Sequence, residues 1–168
     1  MKIVINDANI LIDLVKLNLL DLFSKLDFEL YTTDFVYDEL NENQRSPISA
    51  LNANGKLKII ETTEVVDFQK ISKLLENSNG LSFEDCSVWY YSEKLFGALL
   101  TGDGKLRKLA SKNGIEVRGI LYVFDELVKQ ELLSFQEAIE KLEQLSQFNN
   151  RLPKKEIQKR IENWKGKR

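Results

Sequence analysis

The 168-residue chain is long enough to bury a sizeable core in one domain without covalent staples. Its single cysteine, Cys86, excludes an internal disulfide and a cysteine-based metal site, and the absence of histidine excludes Ser-His-Asp and Cys-His catalysis, imidazole acid–base chemistry and histidine-ligated zinc. The net charge of −2 divides unevenly, +6 over residues 151–168 and −8 over the 150 before them, which fits an acidic body that gathers carboxylates and a basic tail that solvates a helix or meets a polyanion.

In chain order, Ile3-Val4-Ile5 is a short β-branched apolar run, read as a central strand buried on both faces. It stops at Asn6-Asp7. A carboxylate at the carboxyl end of such a strand stands where open α/β sheets place ligands. Alone, Asp7 would serve equally as a helix cap. Ile10, Leu11, Leu14, Val15, Leu19, Leu22, Phe23 and Leu26 keep helical spacing, with a break near Asn18. A second strand follows at 28–32, then a helix capped by Thr33 or Asp34 and running through Leu40. The polar stretch from Asn41 to Pro47 reads as a loop before a short helix, and residues 57–60 as a third strand. A helix is expected over 69–76. Ser82, with Asp85 three residues on, opens the next helix in a capping-box arrangement, and Gly97 ends it. Residues 98–101 form a fourth strand closed by Gly102-Asp103-Gly104. A basic helix from Lys105 to Lys112 leads to a fifth strand at 115–117. The remainder is helical: 120–130, a segment after the Ser134–Glu137 capping box, and a basic helix begun by Pro153 and reaching Trp164.

Strands alternating with helices predict an α/β fold with a parallel sheet covered on both faces. Such a sheet brings residues at the carboxyl ends of its strands to one edge. Asp7 follows strand one, Asp103 follows strand four, Asp85 lies in the first turn of the helix leading to strand four, and Glu39 lies in the helix after strand two. Each has an ordinary structural use: Asp85 as a capping residue, Asp103 in a turn, Glu39 on a solvated face. Asp38 beside Glu39, and Glu84 beside Asp85, are open alternatives. Carboxylates crowded together repel, and a hard cation such as Mg²⁺ or Mn²⁺ relieves the repulsion. A pair of such ions suits phosphodiester hydrolysis and needs no histidine. Asn9 can orient a metal-bound water, and Thr101 can hold a carboxylate by its hydroxyl. Lys105, Arg107 and Lys108 can hold phosphates or simply solvate a helix face. Cys86 reads as a small buried hydrophobe.

Four stretches together resemble the PIN domain family: Asp7-Ala8-Asn9 after the first strand, Val36 to Leu40 with Glu39, Leu81-Ser82-Phe83-Glu84-Asp85-Cys86-Ser87, and Leu100-Thr101-Gly102-Asp103-Gly104-Lys105-Leu106-Arg107. The resemblance covers residues 2 to about 118. The later segment is similar to that of bacterial PIN proteins close to VapC-like toxins. One departure is Gly104, where many relatives carry a bulkier residue. The resemblance implies a three-layer α/β/α sandwich with a five-stranded parallel sheet over residues 1–118, and a helical extension over 119–168 packed on the same domain. It implies a metal-dependent endoribonuclease using Mg²⁺ or Mn²⁺, with Asp7, Glu39, Asp85 and Asp103 as metal-binding catalytic carboxylates and Asn9 and Thr101 in support. It also implies a toxin–antitoxin setting, with RNA as substrate, an antitoxin protein as partner and a homodimer as assembly. No signal peptide and no membrane-spanning apolar run is read in the sequence, so a cytoplasmic protein is expected. The alternative is a catalytically weak PIN-like module that binds RNA or protein.

Overall fold

The computed structural model describes residues 1–167, so Arg168, the last basic residue counted in the tail, lies outside the described residues. The elements run β1 (Lys2–Asn6), α1 (Ala8–Lys16), α2 (Leu20–Phe23), β2 (Phe28–Thr33), α3 (Asp34–Glu39), α4 (Glu42–Ala53), β3 (Leu57–Ile60), α5 (Val65–Asn77), α6 (Phe83–Lys94), β4 (Ala98–Leu100), α7 (Gly104–Lys112), β5 (Val117–Arg118), α8 (Ile120–Lys129), α9 (Phe135–Phe148) and α10 (Lys154–Trp164). All strand pairs are parallel, in the order β3-β2-β1-β4-β5.

Local chemistry explains most boundaries. Asn18 breaks the first helical stretch by taking a left-handed backbone, φ 56°, which asparagine tolerates better than most residues. Thr33, rather than Asp34, caps α3 by accepting from the Val36 N–H. Reciprocal capping boxes at Ser82/Asp85 and Ser134/Glu137 start α6 and α9. The stretch from Asn41 to Pro47, expected as a loop, is instead the start of α4. Asn41 and Gln44 form a third capping box, and burial of Ile48 and Leu51 holds the helix with Pro47 inside it. Helix α5 begins at Val65, earlier than the periodicity indicated, because Val65, Val66 and Phe68 leave large apolar side chains exposed and so blur the pattern. The fifth strand is Val117–Arg118 rather than 115–117, since pairing with Leu99 and Leu100 of β4 fixes its register.

The strand order positions the site. β1→β2→β3 moves one way across the sheet, and β4→β5 moves the other. With right-handed crossovers the first two connections lie on one face and the later ones on the opposite face. Among the contacts, α1 meets α4 and α2 meets α8 on one side, α6 packs with α5, α7 and the strands β1, β2 and β4 on the other, and the short α3 at the edge meets both α1 and α6. The order reverses between β1 and β4, and that switch point is where α/β sheets open a crevice.

One continuous core spans the chain. It joins Val4, Ile5, Leu30, Leu57 and Leu99 of the sheet to Phe124, Leu142 and Trp164 of the last helices. Polar links tie those helices down: Lys141 Nζ donates to the Leu17 carbonyl at 2.7 Å, and Arg160 makes a two-pronged bond to Asp125 at 2.8 and 2.7 Å. Phe124 is fully buried. Phe124→Ala is expected to cost about 3–5 kcal/mol of whole-domain stability in urea denaturation, with a single transition. A second, early transition would mean that the last helices unfold separately.

Candidate metal centre

Asp7 ends β1 and caps α1. It is 3 % exposed. Its Oδ1 accepts from the Ala8 N–H at 2.8 Å, and its Oδ2 accepts from Thr101 Oγ1 at 2.7 Å and Asn9 Nδ2 at 3.3 Å. Thr101 follows β4, so the hydroxyl reaches across the switch point. The same hydroxyl accepts from the Asp103 N–H at 3.1 Å, and Asn9 Oδ1 accepts from the Gly102 N–H at 2.8 Å. Asp7, Asn9, Thr101 and the 101–103 backbone thus form one hydrogen-bonded unit joining the ends of β1 and β4.

The other acids are placed by helix starts and ends. Asp85 Oδ2 accepts from the Ser82 N–H at 2.9 Å, which anchors it in the first turn of α6. Asp103 Oδ1 accepts from the Leu106 N–H at 2.8 Å and caps α7. Glu39 is the last residue of α3. That turn is fixed by Arg45, which donates from Nε to the Tyr37 carbonyl at 3.0 Å and from its Nη2 to the Asp38 carbonyl.

The electrostatics show that these carboxyls share one neighbourhood. Burial pushes Asp7 up to about 6 from an ordinary 3.8, against the pull of its Thr101 and Ala8 hydrogen bonds, and the charges of Asp85 and Asp103 push it further. Burial also raises Asp85, followed by Asp103 and Glu84 after the opposing Ser82 bonds. Glu39 is raised by burial and then by Glu84, Asp7 and Asp85. Glu39, at the end of α3, therefore feels the charges of this edge. Glu84, considered in the sequence only as a rival to Asp85, stands beside it and adds a fifth negative charge to the edge. The capping box was the signal for separating them: it turns Asp85 back to Ser82 and leaves Glu84 without a side-chain hydrogen bond among the described residues.

The basic residues of α7 diverge. Lys105 folds over Gly80, its Nζ 2.1 Å from where a β-carbon there would stand, and Arg107 turns the other way to donate to the Thr101 carbonyl at 3.1 Å. Lys108 is exposed and makes no side-chain hydrogen bond among the described residues. Cys86 is buried, as expected.

The Thr101 hydroxyl is fully buried. Thr101→Val is expected to cost about 1–3 kcal/mol, because it strips an acceptor from the Asp103 N–H and a donor from Asp7. It should also raise the Asp7 titration above its wild-type position in NMR. An unchanged titration would show that the hydroxyl does not govern Asp7.

The family model of the PIN domain matches residues 3–166. The chain belongs to the PIN domain family. No curated protein sequence matches this PIN domain. Among solved structures it is similar to VapBC-1 from nontypeable Haemophilus influenzae, with 15 % identity and a TM-score of 0.49 over 71 % of this chain and 98 % of that one. No helix among the described residues is long and apolar enough to cross a membrane.

The donor set of this PIN domain is all hard oxygen, which suits Mg²⁺ or Mn²⁺ and disfavours softer ions. Asp85 Oδ1, Asp103 Oδ2 and both Glu39 carboxylate oxygens receive no hydrogen bond among the described residues, so they are free to ligate. In the present side-chain conformations no group of three or more acids among the described residues converges tightly enough to hold one ion. The chemistry of these carboxylates fits a divalent cation, and ligation requires them to turn toward one another from the helix ends that carry them.

Proposed function

We propose that this PIN domain is a metal-dependent endoribonuclease that hydrolyses RNA phosphodiester bonds. The observation that carries the reading is the buried Asp7 carboxylate, held by Thr101 and Asn9 across the ends of β1 and β4 at the switch point of the sheet, where burial and the charges of Asp85 and Asp103 keep it above the usual carboxylate range. A cluster of acids held at that electrostatic cost is the arrangement a cation-binding site requires. Asp7, Glu39, Asp85 and Asp103 would hold Mg²⁺ or Mn²⁺. A bound divalent cation lowers the pKa of a water and stabilises charge on the phosphate. Asn9 and Thr101 keep Asp7 oriented, and Lys105 and Arg107, diverging from the start of α7, attract the phosphate backbone from either side, with Lys108 one turn further along. Residues 1–118 carry this chemistry and residues 119–168 extend the same unit.

The sequence resemblance to VapC-like toxins supports a wider setting: the toxin of a toxin–antitoxin pair, acting on cytoplasmic RNA as a homodimer and restrained by an antitoxin protein. The test of the core reading is cleavage of a labelled RNA. Activity is expected with Mn²⁺ or Mg²⁺, none in EDTA, and none with Asp103→Asn. Full activity of that variant would sink the reading. A catalytically weak binding module is the second reading, favoured by the absence of three converging acids among the described residues in the present conformation.

A further inference from the structure

Beside the carboxylate edge the surface opens into a cleft of about 830 Å³. Asn9 and Gly102 line it on the site side, and Phe148 at the end of α9 and Arg151 in the segment that joins α9 to α10 line it as well. Arg107 and Arg118 lie between them. We infer that this cleft is the track that leads a single-stranded RNA to the carboxylate edge, with Arg118 and Arg151 holding phosphates and Phe148 stacking a base. The inference rests on the ribonuclease reading and adds the path of the strand and three residues that position it.

Charge selects a polyanion. The carboxylates lining the cleft are Asp13 and Glu156. Glu156 is paired with Arg160 at 3.2 Å, and Arg160 is further committed to Asp125. Asp13 is half-buried and accepts from Asn149 Nδ2 at 2.9 Å. Arg107 spends a single N–H on a neutral carbonyl, and Arg151 has no ion pair among the described residues. Arg118 is exposed, shares Glu116 with Lys2, and rests 5.3 Å from the Tyr122 ring centre. Three guanidinium groups therefore keep donors for phosphate oxygens.

Shape and surface select a single strand. The volume is that of a small-ligand pocket, which takes a few nucleotides and no duplex. Phe148 is 37 % exposed at the end of α9, with Lys16 Nζ 5.1 Å from its ring centre on one face, and is followed by Asn149, Asn150 and Arg151, so its free face is an aromatic surface beside amides and cations. Aromatic stacking alternating with backbone charge is how proteins hold unpaired strands. The wall is fixed in advance, by the Asn149–Asp13 bond on one side and the Arg160–Asp125 pair on the other. A β-carbon at Gly119 would lie 2.5 Å from Arg107 Nη1, so a side chain there would shift that guanidinium.

The experiment is fluorescence anisotropy of a labelled 2′-O-methyl single strand in EDTA, over a range of salt. Wild type is expected to bind it, and to bind a duplex of the same sequence more weakly. Arg151→Ala and Phe148→Ala are each expected to weaken binding about tenfold. Arg151→Ala should also flatten the plot of log affinity against log salt by about 0.7, one phosphate contact on a single strand, while Phe148→Ala leaves the slope unchanged. Both side chains are exposed, so their melting temperatures should match wild type. Lys73→Ala, on the opposite side of the molecule, should alter nothing. Wild-type binding by both cleft variants, no strand binding at all, or displacement of the strand by a poly-glutamate peptide at equal affinity would overturn the inference. Cleavage with Mn²⁺ separates the two claims. If Asp7→Asn is inactive and both cleft variants cleave like wild type, the nuclease reading stands and the cleft falls. If Asp7→Asn cleaves fully, the nuclease reading itself falls.

Discussion

Asp7→Asn is expected to remove RNA cleavage, by about 10³-fold or more, and at the same time to make the metal-free protein more stable at neutral pH. The two effects share one cause. Burial holds the folded-state Asp7 at about 6, above its ordinary 3.8, so the fold prefers the neutral carboxyl. Below pH 4 the group is protonated in both folded and unfolded chains and costs nothing. As pH rises through the window from about 4 to 6 the unfolded chain ionises first, and stability is lost. Above the folded value the loss is complete, about 3 kcal/mol at 1.36 kcal/mol per unit. Asparagine keeps an oxygen for the Ala8 N–H and carries no charge, so the variant should escape most of that loss, gaining about 2–3 kcal/mol at pH 7. Glu39 and Asp85 are raised as well and tilt the pH dependence the same way in both proteins. Urea denaturation in EDTA at about pH 4 and pH 7, wild type against variant, reads the difference. Equal pH dependence in the two proteins would show that Asp7 is not held under strain. A 10³-fold loss of cleavage corresponds to about 4 kcal/mol of transition-state stabilisation. The same residue would then be a liability to the fold and an asset to the reaction.

Mn²⁺ is expected to stabilise the wild type by about 2.7 kcal/mol when present at a hundred times its dissociation constant. A cation favours ionised carboxylates, so the gain should grow with pH across the interval in which Asp7 ionises. Asp103→Asn should abolish most of it. Asparagine is as good a helix cap as aspartate, so α7 should keep its start and the loss can be assigned to charge and ligation. Thermal melting with and without metal is the measurement. No shift at millimolar Mn²⁺ in the wild type would favour the binding-module reading, in which the acids never turn toward one another.

The sequence by itself determined whatever depends on neighbours along the chain. The Ile3-Val4-Ile5 run makes a strand because its side chains are β-branched and apolar. The boxes at Ser82/Asp85 and Ser134/Glu137 make helix starts because donor and acceptor are three residues apart. The break at Asn18 follows from what asparagine tolerates. The same local chemistry was present at Asn41/Gln44, yet a polar composition ending in Pro47 masked it, and burial of Ile48 and Leu51 decided in favour of a helix. Register decided the fifth strand, since only pairing with Leu99 and Leu100 picks out Val117 and Arg118. The candidate acids were legible one by one, as carboxylates at element ends and through the family pattern. What the strand order decided is that the ends of β1 and β4 lie side by side, so that Thr101 bonds Asp7 although 94 residues separate them. Tertiary packing also put Glu39 within reach of the charges across the edge, a placement no neighbour along α3 announces. The cleft was least legible of all. Arg107, Arg118 and Arg151 share no spacing or motif, and they meet only because the last helices pack back against the body through a common core.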